Sequence, residues 1–232
     1  MPIFTDDEID DPYLLSRILS RRNPCVIIID CRSKAITEQQ EEINRWLRDF
    51  SEEAERMLTR EIDRSCVDAR IITVGNTIEV GGAFLNASEG LPELQLKYGT
   101  GASLEEAMEI ALNLLEERKH QYQWAGLIYN KPKLYILSAD IVNYCASIAE
   151  TENRIHCMIR DNKIKFYPIV CLPKFLMDAG ERHLRDACLP TLQAPLELSM
   201  FVTEDYWSLP IAHLFDNEDG IPPVPIEITI GI

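Results

Sequence analysis

The stretch Pro24-Cys25-Val26-Ile27-Ile28-Ile29-Asp30-Cys31-Arg32-Ser33-Lys34 decides how the rest of the chain is read. Four consecutive β-branched residues, Val26 to Ile29, end on Asp30, and a polar loop follows at once. An unbroken apolar run of this kind reads as a strand buried on both faces, as in the middle of a parallel sheet. In open α/β sheets the loops leaving the carboxyl ends of such strands form the ligand crevice. Asp30 therefore falls where a sheet of this type places its chemistry.

Working outward, residues 1–11 form an acidic tail, and Tyr13-Leu14-Leu15-Ser16-Arg17-Ile18-Leu19 has the pattern of a short helix. After Asp30, Ile36, Ile43, Trp46, Leu47, Phe50, Ala54, Met57 and Leu58 recur at three- and four-residue spacings, which predicts one long helix. Its other face carries Glu38, Glu41, Glu42, Arg45 and Arg48, a solvated surface. Cys66 to Val74 reads as a strand, and Thr77 to Val80 follows after a link so short that the two must be antiparallel. Gly81-Gly82 suggests a bulge at a sheet edge. A Gly- and Pro-rich loop from Ala87 to Gly101 leads to a helix with Ser103 as N-cap and Glu106 at capping-box spacing. Lys133 to Leu137 and Ile164 to Cys171 read as further parallel strands, with a helix within 144–160. A short helix at 180–188, an edge strand at 196–198, a helix opening at Thr203 and a polyproline-like strip at Ile221 to Ile226 complete the chain.

Composition narrows the function. The chain has 232 residues, enough for one large α/β domain, with 46% hydrophobic and 26% charged residues. A formal net charge of −15 argues against nucleic acid, whose phosphates need clustered Lys and Arg, and against an anionic membrane surface. No apolar run reaches the length of a membrane span, and the acidic N-terminus is unlike a signal peptide. Seven scattered cysteines without a CxxC pair read as reduced thiols of a cytoplasmic protein.

The predicted order is strand, Asp-led loop, long helix, strand, antiparallel strand, helix, strand, helix, strand, helix, strand, helix. Over residues 22–215 it resembles the von Willebrand factor type A (VWA) domain. Val26-Ile27-Ile28-Ile29-Asp30 is similar to that family's first strand, and Ile71 to Asn76 to its second. Leu104 to Lys119, with Tyr122 to Pro132 after it, resembles the bacterial TerY-like branch. The resemblance implies a doubly wound, mainly parallel six-stranded sheet with one antiparallel edge strand and helices on both faces. Residues 1–21 are then a tail and short helix, and 216–232 a Pro-rich extension.

The family's functional device is a metal-ion-dependent adhesion site, Asp-x-Ser-x-Ser with a Thr and a second Asp from later loops. Magnesium wants near-octahedral oxygen donors of this kind. Asp30 matches the first position, but Arg32 and Lys34 stand where the serines belong. Ala102 falls at the Thr position with Thr100 two residues early, and Ala139 at the last Asp with Ser138 and Asp140 beside it. A divalent ion about 5 Å from one such cationic head is repelled by ~7 kcal/mol at an effective dielectric of ~20. That rivals a micromolar affinity of about 8 kcal/mol. The expectation is an ion-free crevice in which Arg32 or Lys34 pairs with Asp30 and Asp140.

The resulting reading is a non-enzymatic protein-interaction module with a degenerate metal site and no cofactor. Its partner-binding face comprises Asp30, Arg32, Ser33, Lys34, Thr100, Ser103, Ser138 and Asp140. The resemblance implies a bacterial cytoplasmic assembly in stress, signalling or defence, with a kinase, phosphatase or defence-complex component as partner. Two alternatives stay open. One is a rearranged magnesium site built from Asp30, Ser33, Thr100, Ser138 and Asp140. The other is a small hydrolase or nucleotide-binding enzyme in the same crevice, for which Gly99-Thr100-Gly101-Ala102-Ser103 offers only a weak phosphate-cradle signal. Single residues also have plainer readings: Asp30 as a cap, Arg32 and Lys34 as loop charges, Trp207 as core. Cys31 beside Arg32 is either a thiol of lowered pKa or a buried inert one.

Overall fold

The computed structural model describes residues 20–59, 64–139, 154, 157–158, 161 and 163–170. The strand β1 (Arg21–Asp30) lies centrally, paired in parallel with β2 (Ser65–Val74) on one side and β5 (Lys133–Ser138) on the other. Beyond β5 lies β6 (Lys165–Val170), also parallel. Two short antiparallel segments, β3 (Ile78–Val80) and β4 (Leu85–Asn86), both pair with β2. Among the described residues these make a mixed, mostly parallel six-stranded sheet of order β3-β2-β1-β5-β6, with β4 beside β2.

Val26 to Ile29 have no solvent exposure, as expected of a strand covered on both faces. The alternation is visible in what each residue touches. Cys25, Ile27 and Ile29 join the core under α2 (Gln40–Thr59), whereas Val26 and Ile28 join the core under α3 (Leu104–Trp124). The first core holds an aromatic group in which Trp46 and Phe50 pack edgewise on Tyr135, and Tyr135 stacks on Tyr167 at 5.0 Å.

Three details differ from the sequence reading. The predicted long helix is broken at Gln39: a five-residue α1 (Lys34–Glu38), capped by Ser33 Oγ accepting from the Ala35 amide, precedes α2. The single antiparallel edge strand is instead two pieces, because Gly81 leaves the ladder while its amide donates to Ile71 O at 2.8 Å. A Cβ at Gly81 would lie 3.0 Å from that same carbonyl, which accounts for glycine at this position.

The third difference is the Gly- and Pro-rich segment before α3. It is fastened along α2 by side chains that serve as a substitute strand edge. Gln40 Oε1 accepts from the Leu96 amide at 2.7 Å, and Ser51 Oγ accepts from the Leu91 amide at 3.1 Å. Asn44 makes both bonds to Leu94, accepting from its amide at 2.9 Å and donating to its carbonyl at 3.0 Å. Leu91, Leu94 and Leu96 pack against the α2-side core as a consequence. Gly99 and Gly101 then press against Asn76, where added Cβ atoms would stand 2.4 and 2.6 Å from its backbone atoms. Close backbone approach accounts for these glycines without any phosphate.

The elements expected at 13–19, 180–188, 196–198, 203–209 and 221–226 lie outside the described residues, as does most of the segment 144–160 where a further helix is expected. Among the described residues no helix is long and apolar enough to cross a membrane.

Asn44→Ala removes a paired donor and acceptor from the α2 fastening, so it is expected to lower unfolding stability by roughly 1–3 kcal/mol in urea titrations. Amide exchange at Leu94 should quicken at the same time. A change under about 0.5 kcal/mol would show that the fastening carries no energy.

Candidate functional site

Asp30 ends β1 and Ser138 ends β5, and the register that pairs Ile29 with Leu137 brings the two side by side. Asp30 is 2% exposed, so its carboxylate needs partners where water cannot supply them. Arg32 provides two: Nε donates to Oδ1 at 2.7 Å and Nη2 to Oδ2 at 2.9 Å. The Arg32 backbone amide also donates to Oδ1 at 3.2 Å, and Ser138 Oγ donates to Oδ2 at 2.8 Å. Both oxygens thus have two donors each, and the guanidinium meets the carboxylate fork to fork. The pair is local, with one residue between partners, so little chain entropy is spent in closing it.

The remaining candidates fall into place around this pair in different ways. Ser33 is occupied as the N-cap of α1. Lys34 turns from Asp30 toward Tyr98, its Nζ 5.7 Å from the ring centroid. Of the two cations considered for Asp30, Arg32 is the one that pairs. Thr100 is exposed on the loop whose Gly99 amide donates to Cys31 O at 3.3 Å. Ser103 caps α3: its Oγ accepts from the Glu106 amide at 3.3 Å and donates to Glu105 Oε2 at 2.6 Å. Asp140 lies outside the described residues.

Glu105 belongs to this face, although sequence reasoning passed over it. The Ser103 hydroxyl, and after it the helix N-terminal amide and the Arg32 charge, hold its carboxyl below the usual range. Its signal in the sequence is Ser103-Leu104-Glu105-Glu106, a first-turn acid two residues after an N-cap serine. Tyr98, 48% exposed, was likewise overlooked.

Cys31 corrects one alternative. Its side chain is buried, and burial, with Asp30 and Glu79 nearby, pushes the thiol up to about 12. The lowered-pKa thiol suggested by its Arg32 neighbour is overturned, since that guanidinium is spent on Asp30.

The donor set at Asp30 does not suit a magnesium ion. Every Asp30 oxygen that would ligate it already accepts from Arg32 or Ser138, and a guanidinium stands against the carboxylate. A cation at about 2.1 Å from Asp30 would require Arg32 to leave. Among the described residues this face presents fixed charges and hydrogen-bond groups, with the Ser138 hydroxyl donating to a carboxylate that Arg32 already neutralises.

No protein-family model matches the chain, and no curated protein matches it.

Two outcomes are expected from this geometry. Arg32→Met strands a buried carboxylate and should cost roughly 1–3 kcal/mol, whereas Asp30→Asn keeps the Ser138 contact and frees a half-exposed guanidinium to water, costing less. Urea unfolding that ranks the two equally would contradict the arrangement. The second concerns alkali. Folded Cys31 holds its proton up to about 12, against an ordinary thiol value of 9.0 in the unfolded chain. The native state binds more protons in that window, so stability falls as pH rises through it, and Cys31→Ala should flatten the slope.

Proposed function

We propose that the chain is a non-enzymatic, VWA-type protein-interaction module in which Arg32 supplies internally the positive charge a bridging metal would bring. The bidentate Arg32–Asp30 pair, completed by Ser138, is the observation that carries this reading. The sheet order, with a helix core on each face, supports a doubly wound arrangement of that type. The partner docks on the carboxyl-end face, where Arg32, Lys34 over Tyr98 and the Ser103–Glu105 turn present fixed polar groups. It is another protein: a kinase, phosphatase or defence-complex component of a bacterial cytoplasmic assembly. No resident cofactor takes part, and a docking face that is already charge-balanced needs none.

Metal response tests the reading directly. Melting of the full chain with magnesium, manganese or a chelator is expected to give the same midpoint. Arg32→Ser with Lys34→Ser restores the spacing of hydroxyls after Asp30, and a metal-dependent rise is expected in that double variant alone. A rise of several degrees in the unaltered chain, abolished by Asp30→Ala, would replace this reading with metal-dependent ligand binding. Arg32→Glu with Lys34→Glu should release the partner in pull-downs, and retention of every partner would remove this face from the binding surface.

A further inference from the structure

The opposite end of the sheet holds a cleft that the proposed function does not use. Asp68 pairs with Pro24 in the β1–β2 register, whereas Asp30 pairs with Val74. Six residues of strand therefore separate the two carboxylates along β1, about 20 Å. The cleft beside Asp68 measures about 480 Å³, and its lining includes Arg22, Asp68, Phe84, Arg118, Trp124 and Leu127. Clefts that admit small ligands begin at about 300 Å³, so this one has room for an indole.

Its charged groups are engaged within the fold. Asp68, 3% exposed, accepts from Arg118 Nη2 at 2.8 Å and from the Tyr122 hydroxyl. Arg118 Nη1 donates to Gln121 Oε1 at 2.9 Å, and its guanidinium lies 5.2 Å from the Phe84 ring centroid and 4.8 Å from that of Tyr122. Arg22 Nη1 donates to Cys66 Sγ at 3.0 Å and stands 3.8 Å from Asp68 Oδ1. A lining whose polar groups are spent on one another offers an incoming group apolar contact, chiefly on Phe84, Trp124 and Leu127.

The rim supplies a matching projection. Trp124 is 85% exposed, and Ile128, four residues on, is 71% exposed. Ile128 borders the same cleft, its carbonyl accepting from the Arg22 amide at 2.9 Å. With about 150–250 Å² for a large side chain, the two leave roughly 300 Å² of apolar surface in water. Apolar atoms make up about 60% of a protein interface, so a partner that covers them buries about 500 Å² a side. Two such sides reach the ~1,000 Å² that a specific association needs. A projection and a cleft on one face of one chain are self-complementary under a two-fold rotation, since what one copy inserts the other receives.

We propose that two copies of the chain associate through this face about a two-fold axis, each Trp124 indole entering the other copy's cleft against Phe84 and Leu127, with both Ile128 side chains covered at the rim. Two copies that each carry a net charge of −15 repel one another, so apolar burial drives the contact and salt strengthens it. The face is remote from Asp30, and the dimer leaves both Arg32 surfaces open.

Sedimentation velocity on the full chain between about 1 and 100 μM reads the assembly directly. A monomer–dimer equilibrium with a Kd on the order of micromolar is expected, several-fold tighter at about 0.5 M salt than at about 0.05 M. Trp124→Ser should weaken it about tenfold or more and Ile128→Ser about threefold. Both side chains are exposed in the single chain, so the melting midpoint of the diluted variants should match the parent. Leu85→Ser is the control: Leu85 is 42% exposed near the cleft, but it pairs with Ala69 of the α2-side core, on the other face of the sheet, and its loss should leave association unchanged. A chain that stays monomeric at about 100 μM overturns the proposal. So does a dimer that Trp124→Ser leaves intact, one that Leu85→Ser weakens equally, one that salt weakens, or growth past two copies. A monomer whose Trp124 acrylamide cannot quench, read as the difference between parent and Trp124→Phe, would also overturn it and assign the cleft to another segment of the same chain.

Discussion

Burial of β1 on both faces is the constraint from which the rest follows. A strand with four fully buried branched residues in succession needs a hydrophobic layer above and below and a hydrogen-bonded neighbour on each side. The chain meets this with α2 on one face, α3 on the other, and β2 and β5 as parallel partners. Parallel neighbours in turn put the ends of β1, β2 and β5 at one rim, so Asp30, Gly75 and Ser138 meet there without any further instruction. A polar group at such a rim is half inside the core. Arg32 and Ser138 saturate the oxygens of the buried Asp30, as burial of a polar group there requires.

The segment between β4 and α3 shows the same economy in backbone terms. Backbone without a ladder must find partners elsewhere, and here the partners are the Gln40, Asn44 and Ser51 side chains. These sit at spacings of four and seven along α2, so they line one flank of the helix. The fastening also sets where Gly99 and Gly101 cross Asn76, and so where the Thr100 loop and Ser103 stand relative to Cys31. Geometry at the candidate site thus depends on polar side chains of α2 as well as on the site's own loops.

How much of this was legible follows from the range of each interaction. The apolar run, the α2 and α3 periodicities, the hairpin at Gly75-Asn76 and the Ser103 cap are local, and each is readable from its own neighbours in the chain. The Asp30–Arg32 pair is nearly as local, so a cation two residues on was a fair expectation, although Lys34 could be set aside only once Tyr98 was seen beneath it. The break at Gln39 was hidden because Ile36 and Ile43 keep helical spacing across it. Asn44 was unreadable as a fastening residue, since its partner Leu94 is 50 residues away. The Asp68 cluster has its signals far apart in the chain: an aspartate within the strand Cys66 to Val74, and Arg118 and Tyr122 one helical turn apart.

The two ends of the sheet close a buried carboxylate with an arginine, and the difference in range gives them different physical roles. At Asp30 the arginine comes from the very next turn of chain, so the pair forms wherever β1 ends and binds no second element in place. At Asp68 the arginine and tyrosine come from α3, 50 and 54 residues on, and their bonds tie the last turns of that helix to β2. Separating Arg118 from Asp68 would therefore loosen helix from sheet, whereas separating Arg32 from Asp30 would loosen only a loop. A ligand that competed for Arg32 would have to displace three hydrogen bonds from that residue to a buried carboxylate, which Ser138 alone would then serve.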